Sequence, residues 1–177
     1  MAMTGEAQGE IRQRAIKALA EMNDPTLSGV FISHLKDPAA SVRLQCARAL
    51  GMLRPNSAVP ALVAVLADPD WHVSYAARDA LVYIGTPAVT ALIGAMSSDN
   101  PRTRLYAQQA LVGVGDGAVE PAIKALASQN TATRLGAVLV LGELGGQRAV
   151  KALQTLDKDP NETVRNQVSR ALSTIGT

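Results

Sequence analysis

A repeat of about thirty residues runs through the sequence and constrains the fold more than any other feature. A pair of residues that usually ends in Arg recurs at steps of 31, 31, 30, 30 and 31 residues. The pairs are Ile11-Arg12, Val42-Arg43, Val73-Ser74, Thr103-Arg104, Thr133-Arg134 and Val164-Arg165. Leucine stands seven residues after the second member of every pair, at Leu19, Leu50, Leu81, Leu111, Leu141 and Leu172. A fixed period of this length indicates a repeat protein.

The spacing inside each repeat predicts an amphipathic α-helix. Counted from the first residue of each pair, apolar residues stand at i, i+4, i+8 and i+11, with a small residue at i+7, which together form one helix face. In the second repeat these positions hold Val42, Cys46, Leu50 and Leu53, with Ala49 as the small residue. The composition agrees, since 47% of the residues are apolar and only 3% are aromatic.

Turn and capping residues divide the repeats. We expect Asp37-Pro38, Asp68-Pro69 and Asp159-Pro160 to pair an N-capping Asp with a Pro at the first helical position, and Ser98 and Ser128 to cap in the same column. Glycine-containing turns then end the helices, at Gly85, Gly115-Asp116-Gly117 and Gly145-Gly146.

A second helix follows each of these turns. It is clearest over residues 58–67, 88–97 and 118–127, and Pro25, Pro60, Pro87 and Pro121 fall near the starts of such helices. The inward positions in the second repeat are Val59, Leu62, Val63 and Leu66.

The repeats together predict an all-α protein, a right-handed α-α superhelix of about eleven helices in five and a half antiparallel pairs. We expect one cooperative domain over residues 1–177, with repeats that start near residues 6, 37, 68, 98, 128 and 159. One column past the Arg, the inner repeats carry Leu44, Tyr75, Leu105 and Leu135. The terminal repeats carry Gln13 and Asn166 there, which indicates capping repeats and an intact array.

The repeat resembles a known family. The pattern Asp-Pro-x-x-x-Val-Arg-x-x-Ala-x-x-Ala-Leu-Gly, present from Asp37 to Gly51 with Cys46 at the first Ala, is similar to the short HEAT-like repeat of phycobilin lyases. Residues 118–126 resemble the second helix of that repeat. The resemblance implies that the second helices line a concave face. It also implies that each Arg pairs with the Asp at the head of the same or next helix. Such repeats occur in scaffolds, adaptors, lyase subunits and a metal-dependent hydroxylase family, so the resemblance specifies no single activity.

The sequence predicts no catalytic, cofactor-binding or metal site. The hydroxylase branch uses His-Glu pairs, whereas His34 and His72 are followed by Leu35 and Val73. Cys46 falls in a column of small core residues, which predicts a buried thiol without a base. No nucleophile elbow or phosphate-binding Gly loop is present. We therefore expect a protein that is not an enzyme.

The outward stripe of the second helices predicts one partner-binding surface. Its candidate contact residues are Thr90, Gly94, Glu120, Lys124, Lys151 and Lys158. The stripe is small and uncharged in the middle and mostly basic at its C-terminal end, which favours an extended or helical protein segment. The alternative that small residues simply permit tight curvature remains open.

Aromatic residues that break the repeat pattern predict a second partner-binding surface. Trp71, the one Trp of the chain, and His72 lie in the first turn of a helix, with Tyr75 four residues on. Tyr106 is a candidate extension of this patch. Trp71 is either an interface anchor or a packing residue, and both interpretations remain open.

These features predict a non-catalytic scaffold or adaptor that binds another protein on its concave face. The alternative is a subunit of a phycobilin lyase or isomerase, or a chaperone of a bilin protein. A net charge of +2 and a groove without aromatic residues argue against nucleic acid. The sequence has neither a secretory signal nor an apolar run of roughly 20 residues, so we expect a cytoplasmic protein and no membrane partner.

Overall fold

The computed structural model describes residues 5–176, and the side chains of residues 7–176. Eleven α-helices and no strand are present in this range. The helices are α1 (Gly5–Glu21), α2 (Ser28–His34), α3 (Ala40–Leu53), α4 (Val59–Val65), α5 (Trp71–Ile84), α6 (Val89–Ala95), α7 (Pro101–Val114), α8 (Asp116–Ala125), α9 (Thr131–Leu144), α10 (Gly146–Gln154) and α11 (Glu162–Ile175). Three short 3-10 helices cover Pro25–Leu27, Asn56–Ala58 and Thr86–Ala88. The predicted all-α fold and helix number are confirmed.

The chain forms two compact units, Met1–Ala88 and Val89–Thr177. In the first unit α3 packs between α1 and α5, while α2 packs on α3 and α4 packs on α5. In the second unit α9 packs between α7 and α11, and α6, α8 and α10 pack on α7, α9 and α11 respectively. Each of these second helices therefore packs on the first helix of the following repeat. The single cooperative domain over residues 1–177 stays a prediction.

The leucine column forms the core of the inner repeats. Leu50, Leu81, Leu111 and Leu141 are fully buried. The small residues three positions past the second member of each pair are also fully buried, at Cys46, Ala77, Ala107 and Ala137. The terminal repeats follow the prediction less closely. Ala15 and Met22 are exposed, because α1 packs chiefly along α3 and has no such neighbour on its other side among the described helices.

The predicted N-caps are wrong by two residues. The residues that cap the first helices are Asp70, Asn100, Asn130 and Asn161, whose side chains accept hydrogen bonds from backbone N–H groups of the first turn. Asp37, Asp68 and Asp159 accept instead from the backbone N–H two residues on, in the turn before the helix. Ser98 and Ser128 accept in the same way. The prolines after the aspartates consequently lie outside the helices.

The second helices of the second and third repeats are shorter than predicted. A 3-10 helix comes before each of them, Asn56–Ala58 before α4 and Thr86–Ala88 before α6. The fourth repeat lacks that turn, so α8 begins at Asp116 and Pro121 falls inside the helix rather than near its start. The glycine turns are confirmed at Gly85, Gly115 and Gly145, which have positive φ. At the equivalent place after α3, Arg54 adopts φ of 53°.

The column one residue past the Arg is not the packing column that the sequence indicated. Tyr75 and Leu105 are 45% and 49% exposed, while Leu44 and Leu135 are half-buried. Because this column lies at the surface, a polar residue at Gln13 or Asn166 does not by itself mark a capping repeat.

Candidate protein-interaction surfaces

Three arginines of the repeat column each hold an Asp that begins the next repeat, and we call this series the Arg-Asp ladder. Arg12, Arg43 and Arg134 donate from Nε and Nη2 to the two carboxylate oxygens of Asp37, Asp68 and Asp159, at 2.7–3.0 Å. The guanidinium groups lower the pKa of Asp37 and Asp159. The structural interpretation of the Arg column is confirmed at these three steps.

Cys46 and His34 are both held by their surroundings in the fold. Cys46 is fully buried, and burial raises the pKa of its thiol to about 12, so it stays protonated at neutral pH. The His34 ring lies within 2.9 Å of the Val30 carbonyl oxygen and 3.1 Å of the Ser33 hydroxyl. Among the side chains of residues 7–176, no three His, Cys, Asp or Glu are placed to hold a metal ion.

The Trp71 indole lies at the surface of the first unit. It is 58% exposed and stacks on the His72 ring, with 3.6 Å between ring centroids and 28° between the ring planes. The His72 ring is in turn positioned by Asp70, whose carboxylate lies 3.1 Å from His72 Nδ1 and also accepts from the His72 backbone N–H. The cap of α5 therefore fixes the ring on which Trp71 rests.

Two further aromatic rings continue this surface along α5. Tyr75 lies one helical turn after Trp71, and the Arg78 guanidinium stands 3.8 Å above its ring centroid. Arg78 also bonds Asp79 at 2.6 Å, so its position over the ring is held from two sides. Tyr83, two turns further along, is 57% exposed, and the Arg54 guanidinium carbon lies 5.7 Å from its ring centroid.

These side chains border an open groove of about 420 Å³ between α3 and α5. We define the α3–α5 groove by its exposed apolar residues Met52, Trp71, Tyr75 and Tyr83, with Arg48 at its α3 side. The structure thus brings the predicted residues Trp71, His72 and Tyr75 together in one groove. Tyr106, the fourth predicted member, is half-buried on α7 of the other compact unit, and its role stays a prediction.

Sequence reasoning missed Met52 and Tyr83. Both occupy the same repeat column, in which the other repeats carry Glu21, Gly113, Glu143 and Thr174. A large apolar residue in a column that is otherwise polar or small is a signal of the same kind as Trp71, and it was available in the sequence.

The second predicted surface lies on α6, α8 and α10 of the second unit, with Lys158 in the turn after α10. All six candidate residues are exposed, at Thr90, Gly94, Glu120, Lys124, Lys151 and Lys158. Arg148 on α10 donates to the Glu120 carboxylate on α8 at 3.1 Å, which neutralises the one acidic member of the set. The three lysines have no ion-pair partner among the described residues, so this surface is basic.

The fold and these surfaces define a helical-repeat protein with exposed grooves. The profile of HEAT repeats matches residues 2–82, 28–112 and 119–177. The chain belongs to the HEAT-repeat family. Comparison with curated protein sequences gave no significant match.

Several solved structures are similar to this chain. A TOG-domain array of microtubule polymerases matches with a TM-score of 0.62 at 15% identity, over 93% of this chain and 43% of that chain. A HEAT-like repeat protein from Thermococcus onnurineus matches at 13% identity and TM-score 0.48, over 99% of this chain and 81% of the other. The CpcE–CpcF complex of phycocyanin lyase from Nostoc matches at 20% identity and TM-score 0.47, over 84% and 99%. These likenesses concern the fold, and the bilin-lyase alternative stays a prediction.

None of the described helices combines the length and the apolar character that a membrane-spanning segment needs.

Proposed function

We propose that this protein is a non-catalytic interaction scaffold or adaptor that binds a segment of another protein. The observation that carries the proposal is the α3–α5 groove, where Met52, Trp71, Tyr75 and Tyr83 each expose 45–58% of their surface. Clustered exposed apolar side chains are costly in water, and on soluble proteins such clusters mark interaction sites. Trp and Tyr are also the residues most enriched among those that dominate binding energy.

The exposure of Trp71 supports its role as an interface anchor. A packing residue would bury its ring among aliphatic neighbours, as the leucine column does, whereas the indole rests on the solvent-exposed His72 ring. Removing the indole therefore leaves the buried core of the first unit intact. The stacking and the Asp70 cap hold the ring in place before a partner arrives, which lowers the entropic cost of binding.

The charges around the groove define the chemistry of the partner. Asp79 is neutralised by Arg78, while Arg48 and Arg54 are exposed and have no ion-pair partner among the described residues. The face from Trp71 to Tyr83 extends along about 18 Å of helix, enough for three turns of a helical segment. A segment with apolar side chains flanked by acidic ones fits this surface.

The exposed stripe on α6, α8 and α10 is the second contact surface of this proposal. The resemblance to HEAT-like repeats implies that it lines a concave face. Since Glu120 is paired with Arg148, the lysines at positions 124, 151 and 158 make it attractive to acidic side chains of a protein segment.

A capture experiment from the native source tests the proposal. The full chain is immobilised, bound proteins are identified by mass spectrometry, and wild type is compared with Trp71→Ala and Tyr83→Ser. Met22→Ala is the matched control, because Met22 is also apolar and 64% exposed in the first unit but lies outside the groove.

We expect one protein to be retained by wild type and by Met22→Ala and lost with both groove variants, while all variants keep the wild-type melting temperature. Equal capture by all variants would remove the groove from the interface. A large fall in the melting temperature of Trp71→Ala would make Trp71 a packing residue.

A further inference from the structure

Two arginines of the repeat column, Arg104 and Arg165, hold no carboxylate among the described residues. Arg104 donates from Nη1 to the carbonyl oxygens of Ser98 and Asp99, at 2.7 and 3.0 Å. Arg43 and Arg134 make the same two Nη1 contacts, to the carbonyls of residues 37 and 38 and of residues 128 and 129. They also use Nε and Nη2 to hold an Asp. Arg104 Nε and Nη2 have no hydrogen-bond partner among the described residues.

The position that supplies the Asp elsewhere holds Ser128. Asp37, Asp68 and Asp159 each accept from the backbone N–H two residues on, and the Ser128 hydroxyl likewise accepts from Asn130 N at 3.2 Å. Its oxygen is therefore anchored in the same turn, and its proton remains available for donation. α7, which carries Arg104, packs on α9, the helix that follows Ser128.

The Arg-Asp ladder is also interrupted at a second step, where neither charged residue is present. Ser74 replaces the Arg of the third repeat, and Ser98 replaces the Asp of the fourth, so both charges of that step are absent from the sequence. At Arg104 and Ser128 only the negative charge is absent. The Arg104 side chain is half-buried, and its Nε and Nη2 make no protein hydrogen bond among the described residues.

We propose that Arg104 and Ser128 form a receptor for a carboxylate group supplied from outside the chain. In the ladder, the same two guanidinium nitrogens grip both oxygens of a carboxylate at 2.7–3.0 Å. Such bidentate, charge-assisted bonds are among the strongest in proteins. The Ser128 side chain is shorter than the Asp of the other repeats, and its hydroxyl donates to the incoming group. The ligand class is a carboxylate, from a free organic acid or from an acidic side chain.

Arginine side-chain NMR tests this receptor directly. The full-length protein, labelled with ¹⁵N at arginine, is titrated with sodium acetate at neutral pH, with sodium chloride adjusted to keep the ionic strength constant. We expect the Arg104 Nε–Hε signal to shift and saturate, while the signals of Arg43 and Arg134 stay in place. Arg165, which donates only from Nη1 to Asp159 O and faces no such serine, is the control for loose association of acetate with a guanidinium.

The variant Ser128→Asp provides the decisive comparison. It completes the ladder, so the Arg104 signal moves without acetate toward that of Arg134 and no longer responds to acetate. Two results would overturn the proposal: an Arg104 shift no larger than that of Arg165, or a Ser128→Asp protein that still titrates like wild type.

A second titration distinguishes a free organic acid from an acidic side chain as the source of the carboxylate. A capped peptide with a single Asp, acetyl-Gly-Asp-Gly-amide, replaces acetate at the same concentrations. Tighter saturation by the peptide assigns the receptor to an acidic protein segment, and equal or weaker saturation assigns it to free carboxylates. If neither probe shifts Arg104 beyond Arg165, the receptor does not exist, whatever the outcome for the α3–α5 groove.

Discussion

Arg134 and Asp159 form the most buried ion pair of the described chain. Nε and Nη2 of Arg134 lie 2.7 and 3.0 Å from the two oxygens of Asp159, and only 10% and 2% of the two side chains are exposed. The carboxylate also accepts from Asn161 N at 2.8 Å. Since the pair joins residues 25 positions apart, it ties α9 to the turn before α11.

Removing the charge of Asp159 tests how much this step contributes to stability. We expect Asp159→Asn to lower the free energy of unfolding by about 3 kcal/mol, because the Arg134 guanidinium is left without its counter-charge. The matched control is Glu120→Gln in the Arg148 pair, whose side chains are 62% and 57% exposed. It should cost at most about 0.5 kcal/mol, since water screens an exposed pair. Urea denaturation measures both, and equal losses would contradict the structural role of the ladder.

Acid should weaken the protein through the same carboxylates. The pKa of Asp37 and of Asp159 is lowered in the folded state by Arg12 and Arg134, so below the ordinary value of 3.8 the unfolded chain binds more protons. The stabilisation is complete above that pH and is lost as the pH falls toward the folded pKa.

Urea denaturation from about pH 6 to about pH 3 measures this loss. The variant with Asp37→Asn and Asp159→Asn should depend less steeply on pH in the acid range than wild type. An unchanged acid dependence would mean that other groups control it.

Two helical glycines should respond in opposite ways to alanine. A Cβ at Gly51 would lie 3.1 Å from Ala80 Cα, where α3 and α5 approach closely, whereas a Cβ at Gly94 meets nothing within 4 Å. We expect Gly51→Ala to destabilise by about 1 to 3 kcal/mol through overpacking. Gly94→Ala should stabilise by up to about 1 kcal/mol through helix propensity. Thermal denaturation distinguishes them, and a stabilised Gly51→Ala would contradict the close approach.

A core substitution in the first unit tests whether the two units unfold cooperatively, when hydrogen exchange is measured in the second unit. Leu81→Ala removes a fully buried side chain of α5 and should cost roughly 2 to 5 kcal/mol. If the 177 residues unfold together, hydrogen exchange of the buried α9 amides accelerates accordingly. Lys124→Ala, at an exposed site, should change neither. Unchanged α9 exchange in Leu81→Ala would show that the two compact units unfold separately.

The sequence predicts the fold because the same spacing of apolar and small residues occurs in six repeats. The leucine column and the column three residues past the Arg are buried in every inner repeat. The ladder pairs were implied by the resemblance to HEAT-like repeats, and the structure shows that at three steps the Arg holds the Asp of the next repeat. Local hydrogen bonds were harder to predict. The sequence indicated Asp159 as the cap of α11, whereas the turn geometry shows that Asp159 holds Arg134 and that Asn161 caps the helix.

The candidate surfaces were partly predictable for a related reason. A residue that breaks its column, such as Trp71, is visible in the sequence. Whether its ring turns inward or outward depends on how α3 and α5 pack, and so does the groove that joins it to Met52 and Tyr83. The column that holds Tyr75 and Leu105 shows the limit, because an apolar pattern alone did not reveal that both side chains are exposed.

The fluorescence of Trp71 tests the proposed interaction most directly, because the chain contains one Trp and its indole is 58% exposed. The protein captured from the native source, or its binding segment made without Trp, is titrated into the full chain. Binding in the α3–α5 groove buries the indole, so we predict a saturating shift of the emission to shorter wavelengths, with the affinity weakened in Tyr83→Ser. An emission spectrum that stays unchanged while binding is detected independently would contradict the account.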